Sequence, residues 1–286
     1  MLAHIINPVS AASDTRFYFI QQITFRSMLI AQNQAGDQQV CLLSAQYPED
    51  RSMLFPGFEP TPDLSRSVLD VAEFHTPRKL PILQDILDQA HQHSTAPYVI
   101  YTNVDIGLQP NFYRAVASFI DQGYDSFVIN RRTISDTSPF QLDNIYANAG
   151  KPHRGWDCFV FPRSWIPDFR LGTLCIGAPL VGLAFLSNLV ARSRNFKEFR
   201  NERLTFHLGD DKTWNRKSFF DYRKHNYTQL MRQLEQLTEI YGEFPPSSPP
   251  ARFLKWHSNP VKAAVYQFYS RHPLPLSFVR WLKGDR

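Results

Sequence analysis

Apolar and polar positions along the chain alternate between two periods, short runs apolar at nearly every position and longer stretches apolar every third or fourth residue. "AHIINPV" is a short apolar run closed by Asn-Pro, which predicts a strand and then a turn. "SDTRFYFIQQITFRSMLIAQNQAGD" places Phe17, Ile20, Ile23 or Thr24, Ser27 and Leu29 or Ile30 at helical spacing, with Ser13 or Asp14 as N-cap and Gly36 as the stop. "QQVCLLSA" predicts a second strand, and "YPEDRSMLFPGFEPTPD" a proline-rich loop. "RKLPILQDILDQAHQHS" sets Leu80, Leu83, Ile86, Leu87 and Ala90 on one helical face, with Pro81 at an early helical position. "PYVIYTN" is apolar toward both sides, as a central parallel strand is when helices cover both faces of its sheet.

The same alternation continues in "QPNFYRAVASFIDQGYDSFVIN". Pro110 opens a helix, Phe112, Val116, Phe119 and Ile120 form its stripe, Gly123 closes it, and "SFVIN" is the next strand. Beyond residue 130 the rhythm weakens: "RRTISDTSPFQLDNIYANAGKPHRG" reads as a polar loop and "WDCFVFPRSWI" as an aromatic strand. A helix is expected from near Pro179 to Arg192, a strand ending in a charged turn in "NERLTFHLGDDKTWN", and a last helix over 218–240. Strand and helix in alternation predict an α/β domain over 1–240 with a mostly parallel sheet flanked by helices. "YGEFPPSSPPARF", with four prolines and two serines, reads as a linker at 241–252 ahead of a helical, basic and aromatic tail at 253–286.

Composition changes this picture in three places. With 286 residues the chain suits one large domain plus an appendage, because single cores stop growing at about 250 residues. The charge of +5 is concentrated: from Ala251 onward there are seven Lys or Arg against one acid, so the tail carries +6 and residues 1–250 carry −1. That distribution argues against nucleic acid as a partner. It suits instead an anionic membrane surface, since Trp256, Tyr266, Phe268, Tyr269, Phe278 and Trp281 accompany the cations; the alternative is that these aromatic side chains pack on the domain. The 21 residues Leu171 to Ala191 lack any charge, but Pro179 within them points to a buried core helix rather than a membrane span. Cys41, Cys158 and Cys175 stand apart in apolar runs and read as small buried hydrophobes in a reducing compartment. The opening "MLAHIINPVSAASD" has no basic region followed by a sustained apolar core, so a cytoplasmic protein, peripheral to a membrane through its tail, is expected.

Ligands of open α/β sheets bind beyond the carboxyl ends of strands, which directs attention to "YTNVDIGL". Asn103 and Asp105, two apart at a strand end, leave on the same side; one carboxylate with substrate phosphates and water suffices for Mg²⁺ or Mn²⁺. The alternative is that both merely end the strand and cap the turn toward Pro110. "HLGDD" by itself also suits a metal-dependent phosphohydrolase, but the acid and histidine clusters such sites need at several strand ends are missing. There is no dinucleotide glycine fingerprint, phosphate-binding glycine-lysine loop or serine-nucleophile elbow, and "HQH" at His91–His93 sits on a polar helix end.

Taken in order, "NPV", "RKLPILQDIL", "YTNVDIGL", "GWDCFVFPR" and "FHLGDD" resemble the nucleotide-sugar-dependent glycosyltransferases of the GT-A fold, a Rossmann-like α/β architecture, over about residues 1–216. The resemblance implies transfer of a sugar from a nucleotide-sugar donor to a glycan, lipid or small-molecule acceptor. By it, Asp105 matches the last acid of the Asp-x-Asp motif, with Asn103 in place of the first, and His207 the late histidine that meets metal or diphosphate; Mn²⁺ or Mg²⁺ is the implied cofactor. Asn7, Pro8 and Val9 would line the base, Arg78 and Lys79 would reach the donor ribose or phosphates, and Glu49 or Asp50 would accept from uracil or ribose hydroxyls. Asp210 and Asp211 would stand behind His207. Asp157 is the implied acceptor-side acid, either the base that removes the acceptor proton or a binder of hydroxyls, with Trp156 as a face for a sugar ring. The family's acid after the Gly-x-Pro element is absent from "GAPLVGLAF". That departure leaves a catalytically inactive binding scaffold as the competing expectation.

Overall fold

The computed structural model describes residues 1–135, 141–209 and 217–260. Nine strands form one sheet: β1 (Leu2–Ile6), β2 (Val40–Ser44), β3 (Glu59–Pro60), β4 (Tyr98–Thr102), β5 (Gly107–Leu108), β6 (Ser126–Ile134), β7 (Lys151–Pro162), β8 (Phe196–Phe199) and β9 (Thr205–Leu208). The path is β3-β2-β1-β4-β7-β6-β9-β5, with β8 attached to β6. β3, β2, β1 and β4 pair in parallel, β7 is antiparallel to both β4 and β6, and β5 is antiparallel to β9. β6 serves two parallel partners along one edge, β8 over Ser126–Ile129 and β9 over Arg132–Ile134. All strands except β7 and β5 therefore run the same way, which is the mostly parallel α/β fold flanked by helices that the strand-helix alternation predicts.

Helices cover both faces. α1 (Arg16–Asn33) and α3 (Phe112–Asp121) lie on one side, where Phe25, Met28, Ala31, Phe112, Tyr113 and Val116 pack with Ile6, Ile100, Phe127 and Val160. α2 (Leu83–His93), α5 (Val181–Arg192) and α6 (Phe220–Tyr241) lie on the other, against Ala3, Val99, Tyr101, Val128, Phe159 and Phe161. Successive residues of β4 and β7 thus serve opposite cores, which is why these strands read as unbroken apolar runs. Phe159 and Phe185 stack at 4.4 Å between centroids, an arrangement that contributes about 0.5–1.5 kcal/mol beyond area burial.

Several boundaries differ from expectation for local reasons. Thr15, not Ser13 or Asp14, caps α1 through its hydroxyl and Tyr18 N–H, because the chain first closes a turn from Ala12 to Thr15. Phe17 is exposed, and Phe25 and Met28 face the sheet in its place. Pro81 lies before Ile82, the N-cap of α2. Within the expected polar loop, residues 131–134 prolong β6, α4 spans Leu142–Ala147 and β7 starts at Lys151. The charge-free run 171–191 becomes turns followed by α5, whose N-cap Leu180 has φ 77°. No helix among the described residues is long and apolar enough to cross a membrane. Phe244 is buried and α7 (Pro249–His257) packs Ala251, Phe253 and Leu254 on the main core; residues 261–286 of the tail lie outside the described residues. Cys158 and Cys175 are buried and Cys41 half-buried, all as free thiols.

Candidate functional site

The topology gathers polar residues at one edge of the sheet. β4, β6 and β9 run in one direction, so their carboxyl ends share an edge, and antiparallel β7 brings its first half to the same place. A turn closed by Ile106 N–H donating to the Asn103 carbonyl at 3.1 Å holds Val104 and Asp105 at its corner. The chain then enters β5, where Gly107 pairs with Phe206 and so sets Asp105 beside the exit of β9. His207 Nε2 lies 3.2 Å from Asp105 Oδ2, and His207 Nδ1 lies 2.8 Å from the Gly209 carbonyl. Both ring nitrogens therefore face oxygen acceptors. A neutral ring donates to only one of them, so a proton or a metal ion on Nε2 is needed to satisfy the other.

Asp105 Oδ1 is buried and has no hydrogen-bond partner among the described residues. Burial pushes the Asp105 carboxyl up, yet the hydrogen bond and charge of His207, with the charge of Arg131, outweigh it and hold the group below the usual carboxylate range. Asp157 is doubly held: Arg131 Nη1 donates to its Oδ2 at 2.7 Å, and Asn103 Nδ2 donates to its Oδ1 at 3.3 Å. Tyr101 in turn donates to Asn103 Oδ1 at 3.2 Å; burial, then the charges of Asp105 and Asp157, raise its phenol above the ordinary range. The structure thus joins Asn103, Asp105, Asp157 and His207, all predicted, through Tyr101 and Arg131, which sequence reading missed. Arg131 falls within the second of two register shifts of the β6–β7 ladder, the one between Asn130 and Arg132, and such irregularities re-aim side chains.

The flanks are fixed by backbone contacts. Arg16 Nη2 donates to the Leu208 carbonyl at 3.0 Å, so α1 begins over the β9 exit. Gly209 takes φ 78°, a backbone conformation that favours glycine, and a Cβ there would meet the Arg16 guanidinium. Trp156 donates from Nε1 to Glu198 Oε1 at 3.0 Å, and Arg200 holds the other oxygen of Glu198 at 2.7 Å. A Cβ at Gly182 would lie 2.9 Å from the Trp156 carbonyl, so the first turn of α5 rests directly on β7, and that turn carries no acid.

Of the remaining expected donor residues, Asn7, Pro8, Val9 and Lys79 lie around the exits of β1 and β2, whereas Arg78 packs at the start of α6. Asn7 Nδ2 donates to the Ala45 carbonyl at 2.6 Å, and Pro8 is buried. Val9 exchanges two hydrogen bonds with the Gln21 amide, and Ser10 N–H donates to Asp50 Oδ1 at 2.6 Å, so these backbone groups are already engaged. Lys79 pairs with Glu49 at 2.6 Å and lies over Tyr47, while Arg78 lies over Phe219 and bonds Ser218. Asp210 and Asp211 lie outside the described residues.

No protein-family model matches the sequence, and no curated protein matches it. Among solved structures, the mannosyltransferase PcManGT from Pyrobaculum calidifontis, in complex with GDP-Man and Mn²⁺, is similar over 99% of this chain and 79% of its own, at TM-score 0.51 and 12% identity. Residues 1–349 of S. aureus TarS in complex with UDP-GlcNAc are similar over 84% of this chain and 73% of that one, at TM-score 0.46 and 9% identity. The chain shares the fold of PcManGT.

Proposed function

We propose that this chain is a glycosyltransferase that takes a sugar from a nucleotide-sugar donor. The observation that carries the reading is the unpartnered, buried Oδ1 of Asp105, beside a histidine whose two nitrogens both face oxygens, at the carboxyl edge of a fold shared with PcManGT. Asp105 and His207 fit a divalent cation that takes its other ligands from diphosphate and water; among the described residues no group of three or more acidic, His or Cys side chains gathers at one point. Mn²⁺ or Mg²⁺ held there would neutralise charge on the departing nucleoside diphosphate.

In this reading Asn7, Pro8, Val9, Arg78 and Lys79 border the nucleotide, and Asn103 and Asp105 meet the diphosphate end. Asp157 accepts the proton of the acceptor hydroxyl. The acceptor oxygen then bonds the anomeric carbon as the bond to phosphate breaks, and the diphosphate leaves with the bonding electrons. Trp156, beside Asp157, is the acceptor-side aromatic residue. One observation favours a second reading, an inert scaffold that binds a nucleotide, glycan or protein partner: both oxygens of Asp157 are occupied, and the first turn of α5 has no acid to replace it. Steady release of UDP or GDP from a panel of nucleotide sugars separates the two. Turnover that Asp105→Ala abolishes rules out the inert scaffold, and nucleotide binding without turnover rules out the enzyme.

A further inference from the structure

The Arg131–Asp157 pair is poorly explained as a structural ion pair. Each side chain is only 14% exposed, and the single contact is Nη1 to Oδ2 at 2.7 Å. In this conformation Arg131 Nε is buried and has no acceptor among the described residues. A guanidinium normally uses its planar fork to bond an oxyanion at two points, and a buried donor without a partner is costly. The side chain therefore gains by leaving Asp157 for an anion that engages the whole fork. Such an anion is expected within reach: Arg131 acts electrostatically on Asp105, whose own Oδ1 lacks a partner. An unpaired donor and an unpaired acceptor on neighbouring side chains match a ligand that carries oxyanions and a cation together.

We infer that Arg131 is a donor-binding residue held in reserve by Asp157, and that the donor diphosphate draws its guanidinium away and leaves the Asp157 carboxylate open to the acceptor. This rests on the glycosyltransferase reading above. Asn103 keeps its bond to Oδ1, so Asp157 stays oriented while Oδ2 loses its partner. Occupation of the donor site is thereby a condition for the carboxylate to work, and donor precedes acceptor. In the protein without donor, Asp157 is masked.

Competition has a signature that simple contact lacks, because the affinity of a ligand is reduced by the fraction of protein in which its partner is withdrawn. Calorimetric titration of the full chain with UDP and with GDP in Mn²⁺ reads it. Arg131→Gln should weaken nucleotide binding about tenfold or more, and Arg131→Lys should recover part of the loss, since a point charge lacks the fork. Asp157→Asn, which releases Arg131 and keeps the shape of the side chain, should tighten binding about fivefold. The Arg131→Gln/Asp157→Asn double variant should bind as weakly as Arg131→Gln alone; it also removes both charges together, so it stays informative if a single variant folds poorly. Unchanged affinity in all variants, or weaker binding in Asp157→Asn, overturns the inference and leaves the enzyme reading standing. Absence of UDP and GDP binding by the unaltered protein overturns both.

Discussion

Replacing Asp105 with alanine separates a residue built for a ligand from one that ends a strand. In the protein alone the carboxylate makes one charge-assisted bond, to His207 at 3.2 Å, worth about 1.5–3 kcal/mol at best. Against it stands Oδ1, buried without a partner, at a cost of about 1–3 kcal/mol. The two largely offset each other, so Asp105→Ala should change unfolding free energy by no more than about 2 kcal/mol. The ligand response should differ sharply. UDP or GDP with Mn²⁺ at a hundred times its dissociation constant stabilises the native state by about 2.7 kcal/mol. At about 2–4 °C per kcal/mol for a chain of this size, that is a rise in Tm of about 5–10 °C. If the substitution weakens binding a hundredfold, the rise at the same concentration falls to about 1 °C. Thermal melts of both proteins, with and without nucleotide, Mn²⁺ and EDTA, provide the test. A rise of several degrees that survives in Asp105→Ala refutes the assignment of Asp105 to the diphosphate. A large loss of stability without ligand refutes the balance of terms.

Other substitutions test the frame around the site. Gly107→Ala puts a Cβ against the buried Phe206 ring, so the ring or the β5–β9 pairing must shift; a loss of about 1–3 kcal/mol in urea unfolding, with a weaker nucleotide response, is expected. Burial raises the Asp50 carboxyl despite the Ser10 N–H that it accepts, so its ionisation costs stability as pH rises through and above about 4. Asp50→Asn should therefore stabilise the protein at pH 7 and not below about pH 4. Burial pushes His4, between Tyr113 and Thr102, down to about 3; the unfolded chain takes up a proton below about 6.5 that the folded one refuses. Stability should thus fall as pH drops from about 6.5 toward 3, and His4→Leu should flatten that slope even while it lowers stability at neutral pH. Cosedimentation with anionic vesicles should be lost on truncation after Pro260 and in 0.5 M salt if the basic tail meets a membrane; salt-insensitive or truncation-insensitive binding excludes that role.

Much of the fold was legible because its strands serve two cores at once. Val99 and Tyr101 enter one core and Ile100 the other, so the run "YVIYT" carries no alternation and announces a covered sheet. What escaped was local chemistry that depends on distant partners. Arg131 and Arg132 after "SFVIN" look like the start of a loop, since charged residues seldom continue a buried strand. They continue it because Arg132 is only 9% exposed and bonds the carbonyls of Ala149 and Gly150, while Arg131 meets Asp157. Neither partner can be seen from spacing, as each lies more than fifteen residues away across the returning strand. Glu198 escaped in the same way. "FKEF" offers no reason to join it to Trp156, 42 residues earlier, until β6 has set β7 and β8 on its two sides.

The direction of β7 explains why the acidic side chains converge. Asp157 falls near the middle of its strand, and the pairing of Thr102 with Cys158 brings Asp157 level with the residue that follows β4, which is Asn103. A parallel strand at that position would place the first half of "GWDCFVF" at the opposite edge, about five residues at some 3.3 Å each from the carboxyl ends of β1, β4 and β9. Antiparallel pairing instead lays Asp157 across from Asn103 and leaves Trp156 one step further out, over the start of α5. The same reversal places β6 on the far side of β7, so Arg131 arrives from the opposite flank to Asn103 and the two donors hold one carboxylate between them. Antiparallel β7, set between β4 and β6, therefore carries the second acid to the site, where Asn103 after β4 and Arg131 of β6 both reach it.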